Sequence, residues 1–287
     1  MFACLHIPDF PVQAVTRLDA SLRQQQPPIA ILDGSPPLEK VVALNRRARQ
    51  QGMYPSMTKP QAELFGAKLF QRNRAQEAAA SQALLDCALA FSPRVENTDA
   101  SQGDAILDIA GLERLHGQAE CIGQALQQLG STLGFELHVG IAANPDAAIL
   151  AAHGFPGITV VPPGLEQRYF GPLPMGILGL SSELQETFGS WGIHTLQALA
   201  DLPEIGLIER IGQEGKRLQT LARGASQRTL IPMEPELQFE ESLELEFPIE
   251  LLEPLAFVLA RLLQPLCARL AARGLAAGTI SLGLELE

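Results

Sequence analysis

The chain opens with MFACLHIPDFPVQAV, and no other stretch limits the fold as much. An apolar run from Phe2 to Leu5 leads straight into His6, Pro8, Asp9 and Pro11. A short apolar run closed by prolines reads as a strand, predicted here over 2–7, because proline lacks the N–H that a ladder needs. His6 therefore stands at the end of an apolar strand. The other four histidines, His116, His138, His153 and His194, fall on separate predicted elements without metal-ligand spacing and read as structural residues.

With 287 residues, 46% of them apolar, the chain is long enough for about two domains with a buried core. The four cysteines, Cys4, Cys87, Cys121 and Cys267, are scattered without a CxxC pair, so neither a zinc site nor a disulfide framework is expected and all four read as buried thiols. No apolar run reaches the length of a membrane span, and a basic leader with a long apolar stretch is missing from the N-terminus; a cytoplasmic location is expected.

The net charge of −11 opposes a strong general grip on nucleic acid, which comes from Lys and Arg neutralising phosphates. The charge is unevenly spread. Between Glu39 and Arg74, eight basic residues (Lys40, Arg46, Arg47, Arg49, Lys59, Lys68, Arg72 and Arg74) face two acidic ones, whereas the stretch 234–253 holds eight glutamates and no cation. The first is a candidate phosphate-binding island; the second is expected to face solvent or a protein partner.

Strands predicted over 2–7, 29–33, 41–44, 105–109 and 136–141 alternate with helices over 74–90, 119–129 and 146–153. A cluster of breakers from Pro162 to Pro174 marks a boundary, followed by short glycine-separated helices up to Gly224. Beyond Thr229 the pattern predicts a strand ending at Phe247, a long apolar helix over 251–273 with Gly274 as its cap, and a last strand over 279–286. One helix with two strands is marginal as an independent unit, so the final domain is expected to be incomplete.

Taken in order, these segments resemble the Y family of translesion DNA polymerases. The resemblance implies a multi-domain α+β fold: a palm over 1–165 with fingers inserted at about 25–75, a helix-hairpin-helix thumb over 166–228 and a partial little finger over 229–287. It also implies lost chemistry. In the family the first strand ends in a metal-binding carboxylate, with a second ligand two residues on; here those places hold His6 and Pro8. The family's second motif, Asp-Glu followed later by Asp, is matched by Gly103, Asp104 and Asp108, and an imidazole, a proline and a glycine are poor partners for Mg²⁺. No catalytic residue, metal or cofactor is therefore expected, and Asp104 and Asp108 read as a turn residue and a strand-end cap.

The other motifs follow the same course. The triphosphate-binding Asn-Tyr-x-Ala-Arg element corresponds to Asn45, Arg46, Arg47, Ala48 and Arg49, with the tyrosine lost. Pro11 stands where an aromatic guards against ribonucleotides, and the family's lysines after the third palm strand fall on Pro145 and Ile149. In the thumb, Leu178, Gly179, Leu180 and Ser181 replace Pro-Gly-x-Gly, leaving a credible turn with less room for a phosphate. Arg46, Arg47, Arg49, Lys59, Gly179 and Ser181 are the expected DNA contacts.

Within the family the likeness is greatest to a noncatalytic subgroup that shares the Pro-Asp-aromatic-Pro motif (Pro8 to Pro11) and the Leu-Asp-Ile-x-Gly motif (Leu107 to Gly111). That resemblance implies a scaffold of a damage-induced mutagenesis complex. Its implied partners are primer-template DNA held weakly, a RecA-like companion subunit, an error-prone replicative-type DNA polymerase and a sliding clamp. The clamp-binding peptide, a Gln followed by spaced aliphatic and aromatic residues, has no counterpart before Glu287 and is expected in a segment outside this sequence. Two alternatives stand beside the scaffold: an active polymerase using Asp9, Asp104 and Asp108, or a helix-hairpin-helix DNA-binding module joined to an unrelated α/β domain.

Overall fold

The computed structural model describes the whole chain except residues 99–102, 235–236, 246–247, 250 and 285–287. Its strands are β1 (Phe2–His6), β2 (Ile29–Asp33), β3 (Lys40–Leu44), β4 (Lys68–Gln71), β5 (Val95–Glu96), β6 (Asp104–Asp108), β7 (His138–Ala142) and β8 (Ile158–Val160). They form two sheets, one of five strands in the order β5-β6-β1-β7-β8 and one of three in the order β3-β2-β4.

The apolar opening run has a direct cause. β1 lies at the centre of the larger sheet, antiparallel to both β6 and β7, and both of its faces are covered. Ala3, Leu5 and Ile7 pack on one face with Leu84, Ile122 and Leu126 from the helices Arg74–Leu89 and Ala119–Thr132. Cys4 packs on the other with Ile106, Ala142 and the helix Pro145–Gly154. A strand buried on two sides has no use for alternating polar residues.

Helix Pro145–Gly154 lies unusually close to the sheet. Asn144 caps it, accepting from the amide of Ala147 at 2.8 Å, and Pro145 occupies the first turn, as the sequence predicts. At Gly140 on β7 a methyl group would collide with the backbone of Ala148 and Ala152, so glycine is what permits this approach. The same helix packs against the short helices of residues 175–222, whose Leu196 and Leu199 are fully buried.

Residues beyond 229 depart from expectation. The helix Leu252–Ala272 is present, and Gly274 follows it in the left-handed conformation (φ 64°). Neither expected flanking strand forms among the described residues; Phe247 and Leu286 lie outside them. Alternation supplies a face, but a strand also needs a run of paired backbone groups, and only the Met233 amide, donating to the Val95 carbonyl at 2.8 Å, joins the described residues of this segment to a strand. Side chains hold the segment instead. The fully buried Arg269 donates to the carbonyls of Gln238 and Glu240, both at 3.0 Å, and to Asp86 at 2.8 Å, while Glu241 is paired with Arg17 and Arg269. Part of the acidic stretch thus faces this chain: Glu241 is internal, and Glu244 accepts from Asn73 at 2.9 Å.

One further reading is corrected. Cys4 and Cys87 are buried, the latter with its thiol pushed up to about 12 by burial and the charge of Asp86, but Cys121 and Cys267 are exposed. The helix Leu252–Ala272, with a mean hydropathy of 1.5, is long and apolar enough to cross a membrane, although polar residues interrupt its apolar run. Arg269 and Arg261, the latter 3.3 Å from Asp19 and donating to the Leu18 carbonyl at 2.9 Å, fasten it to the rest of the chain.

Candidate functional site

The three central strands bring Asp104, His6 and His138 into one row, since His6 ends β1 directly opposite Asp104 on β6 and opposite His138 on β7. Cross-strand partners share a face, so all three side chains project from the side that helix Pro145–Gly154 covers. That helix delivers His153. His153 Nε2 lies 3.0 and 2.9 Å from the two Asp104 carboxylate oxygens, and His6 Nδ1 lies 2.7 Å from one of them. The His6 and His153 rings are 3.9 Å apart between centroids, with His138 flanking His6 at 5.9 Å.

Burial pushes the Asp104 carboxyl up, but the bonds to His153 and His6 outweigh it and hold the group below the usual carboxylate range. Burial, aided by the charge of His6, pushes His138 down. The cluster is not sealed: His6 and His153 keep 17% and 20% of their side-chain surface, against 7% for Asp104. Asp104 is thus a buried strand residue bound to two imidazoles, not the turn residue expected. Asp108, at the far end of β6, does cap its strand end, accepting from the Ala110 amide at 3.0 Å while paired with Arg94. His138 and His153, read as isolated structural residues, belong to the cluster; only their flanking elements were predictable, not which helix covers which face. His6, Asp104 and His153 offer possible ligand atoms within 4.8 Å of one another.

The remaining degenerate positions close around this point. Gly103 has a left-handed backbone (φ 69°), and a Cβ there would lie 2.5 Å from the Phe10 ring, which is itself in the core. A side chain at this position therefore carries a cost in both backbone conformation and space. Pro8 ends the strand's reach, and the next carboxylate, Asp9, is committed to Arg49, whose Nη1 donates to it at 3.1 Å. These residues do not fit the paired Mg²⁺ ions of two-metal phosphoryl transfer, which need several carboxylate oxygens around each ion.

The expected DNA contacts are split between two places. Asn45 caps the helix Arg46–Gln50, and among its arginines Arg49 is paired with Asp9 and Arg47 donates to the carbonyls of Gln25 and Gln26. Lys59 is 3.4 Å from Glu39. Arg46 is exposed and has no ion-pair partner among the described residues. Far along the chain, Gly179 turns with φ 62° and Ser181 caps the helix Ser182–Ser190, accepting from Leu184 N at 3.3 Å; both are exposed.

Residues 5–153 match the impB/mucB/samB family. Over 200 residues the chain is 30% identical to Protein ImuB of Caulobacter vibrioides, a match covering 70% of this chain and 43% of that protein. It is 31% identical over 142 residues to DNA polymerase IV of Dehalococcoides mccartyi, covering 48% of this chain and 36% of that one. The chain thus spans less than half the length of these relatives. Among solved structures it is similar to DinB from Sulfolobus solfataricus (TM-score 0.65, 20% identity, 80% of this chain and 69% of that one) and to the insertion ternary complex of Dbh DNA polymerase (TM-score 0.64, 19% identity, the same coverage). The chain belongs to the impB/mucB/samB family and has the α+β fold of Y-family DNA polymerases.

Proposed function

We propose that this chain is a noncatalytic, polymerase-like scaffold of a bacterial translesion-synthesis complex, acting in damage tolerance and induced mutagenesis in the cytoplasm. In this reading residues 1–165 are the palm, with fingers at about 25–75, followed by the thumb over 166–228 and part of a little finger over 229–287. The observation that carries it is the altered metal position: His6 and Pro8 stand at the first strand's end, and a Cβ at Gly103 would meet Phe10. Similarity to Protein ImuB supports the same reading. DNA is held weakly through Arg46 and the turn at Gly179 and Ser181, and the protein partners are a RecA-like subunit, an error-prone replicative-type polymerase and, through a further segment, a sliding clamp.

The relationship to DNA polymerase IV makes an active enzyme the second reading. Its three candidate carboxylates do not converge: Asp9 is bound to Arg49, Asp104 to two histidines, and Asp108 to Arg94 at the opposite end of β6. The module with an unrelated α/β domain is set aside, because His6 and Asp104 lie on adjacent strands. Primer extension with Mg²⁺ or Mn²⁺ distinguishes the two remaining readings. The scaffold incorporates no nucleotide, and His6→Asp combined with Gly103→Asp restores none. Template-dependent extension by the parent that is lost in Asp104→Ala makes the chain an enzyme.

A further inference from the structure

We propose that His6, Asp104 and His153 form a binding site for one borderline transition-metal cation of the Zn²⁺ type. The donors are two imidazole nitrogens and a carboxylate, each from a different element: β1, β6 and helix Pro145–Gly154. Zn²⁺ bonds to such atoms are about 2.0–2.2 Å long, so three of them around a tetrahedral ion stand about 3.3 Å apart. The observed separations from Asp104 Oδ1, 2.7 Å to His6 Nδ1 and 3.0 Å to His153 Nε2, are short of that by about 0.3–0.6 Å. Opening the cluster slightly replaces two hydrogen bonds with three metal bonds.

The donor set also selects the ion. Imidazole suits Zn²⁺, Cu²⁺ and Ni²⁺, whereas Mg²⁺ requires an octahedron of oxygen and gains little from nitrogen. With both imidazoles neutral, the three ligands carry a single negative charge, which a divalent cation more than offsets. Partial exposure of His6 and His153 leaves a coordination position for water, and the buried His138 Nδ1, without a hydrogen-bond partner, lies beside the cluster. The bound ion would pin the helix to the two strands it covers. The site is independent of whether the chain extends a primer.

The competing arrangement is metal-free, with both imidazoles simply donating to Asp104. Titration of the metal-stripped 287-residue chain with ZnCl₂ against a chromophoric chelator separates the two, in a Cys121→Ser/Cys267→Ser background that removes the exposed thiols. Expected are one Zn²⁺ per chain, no competition from millimolar Mg²⁺, and a rise in Tm with Zn²⁺ alone, since a ligand that binds only the folded state stabilises it. His153→Gln should weaken binding about 100-fold or more, beyond what loss of an outer-shell partner costs. His116→Gln/His194→Gln, which alters exposed histidines elsewhere, should leave it unchanged. Should His153→Gln fail to fold, Co²⁺ added to the parent still decides, through the visible ligand-field bands of a four- or five-coordinate nitrogen site. Absence of saturable Zn²⁺ binding, a Co²⁺ spectrum of the hydrated ion, or binding lost in His116→Gln/His194→Gln but kept in His153→Gln overturns the proposal.

Discussion

Replacing Gly103 with alanine probes whether the altered metal position can accept any side chain. The residue has φ 69°, and its new Cβ would meet the Phe10 ring at 2.5 and 2.8 Å and Phe10 Cβ at 3.1 Å. Left-handed backbone costs a non-glycine residue about 1–2 kcal/mol. Forcing an extra carbon into a packed core costs about 1–3 kcal/mol more, since Phe10 is 3% exposed and has nowhere to retreat. The expected loss is therefore about 2–5 kcal/mol, read by urea unfolding with an unchanged denaturant slope. A double-mutant cycle separates the two contributions. In a Phe10→Ala background, itself destabilised by about 3–5 kcal/mol, the ring clash is removed and only the 3.1 Å approach to Cβ remains, so the second substitution costs little beyond the backbone part, about 1–2 kcal/mol. A loss below about 0.5 kcal/mol in the parent, or an equal loss in both backgrounds, refutes the steric argument and reopens the position to a carboxylate.

DNA binding should depend on Arg46 more than on Arg49, because Arg49 is already paired with Asp9. Fluorescence anisotropy on primer-template DNA should show a larger loss and a flatter salt slope for Arg46→Ala than for Arg49→Ala, while Asp9→Asn, by freeing Arg49, tightens binding; equal effects of the two alanine variants would contradict the pairing. At the other end of the fold, Arg269→Ala leaves Asp86 and Glu241 buried with fewer counter-charges and should cost about 3–5 kcal/mol of stability, measured by chemical denaturation. A loss under about 1 kcal/mol would mean that the segment 238–241 is not anchored through this residue.

How much of this was legible in one dimension follows from what a sequence pattern reports. The apolar run of β1 announced a strand, and Asn144 and Gly274 announced helix ends, because these depend on neighbours a few residues away. The identities of His6, Pro8 and Gly103 at these positions were equally legible, since residues are read position by position. Tertiary structure decided what those residues became. Asp104 lies 98 residues from His6 and 49 from His153, and Arg49 lies 40 from Asp9. Periodicity tells which face a side chain is on, not what stands opposite it. Thus His153 reaches the metal position only because Gly140 lets its helix lie against β7, and Gly103 is crowded only because Phe10 returns beneath it. The same reason explains residues 229–287, where alternation predicted strands that do not form among the described residues, and the buried Arg269, paired with Asp86 and Glu241, holds the segment by its side chain.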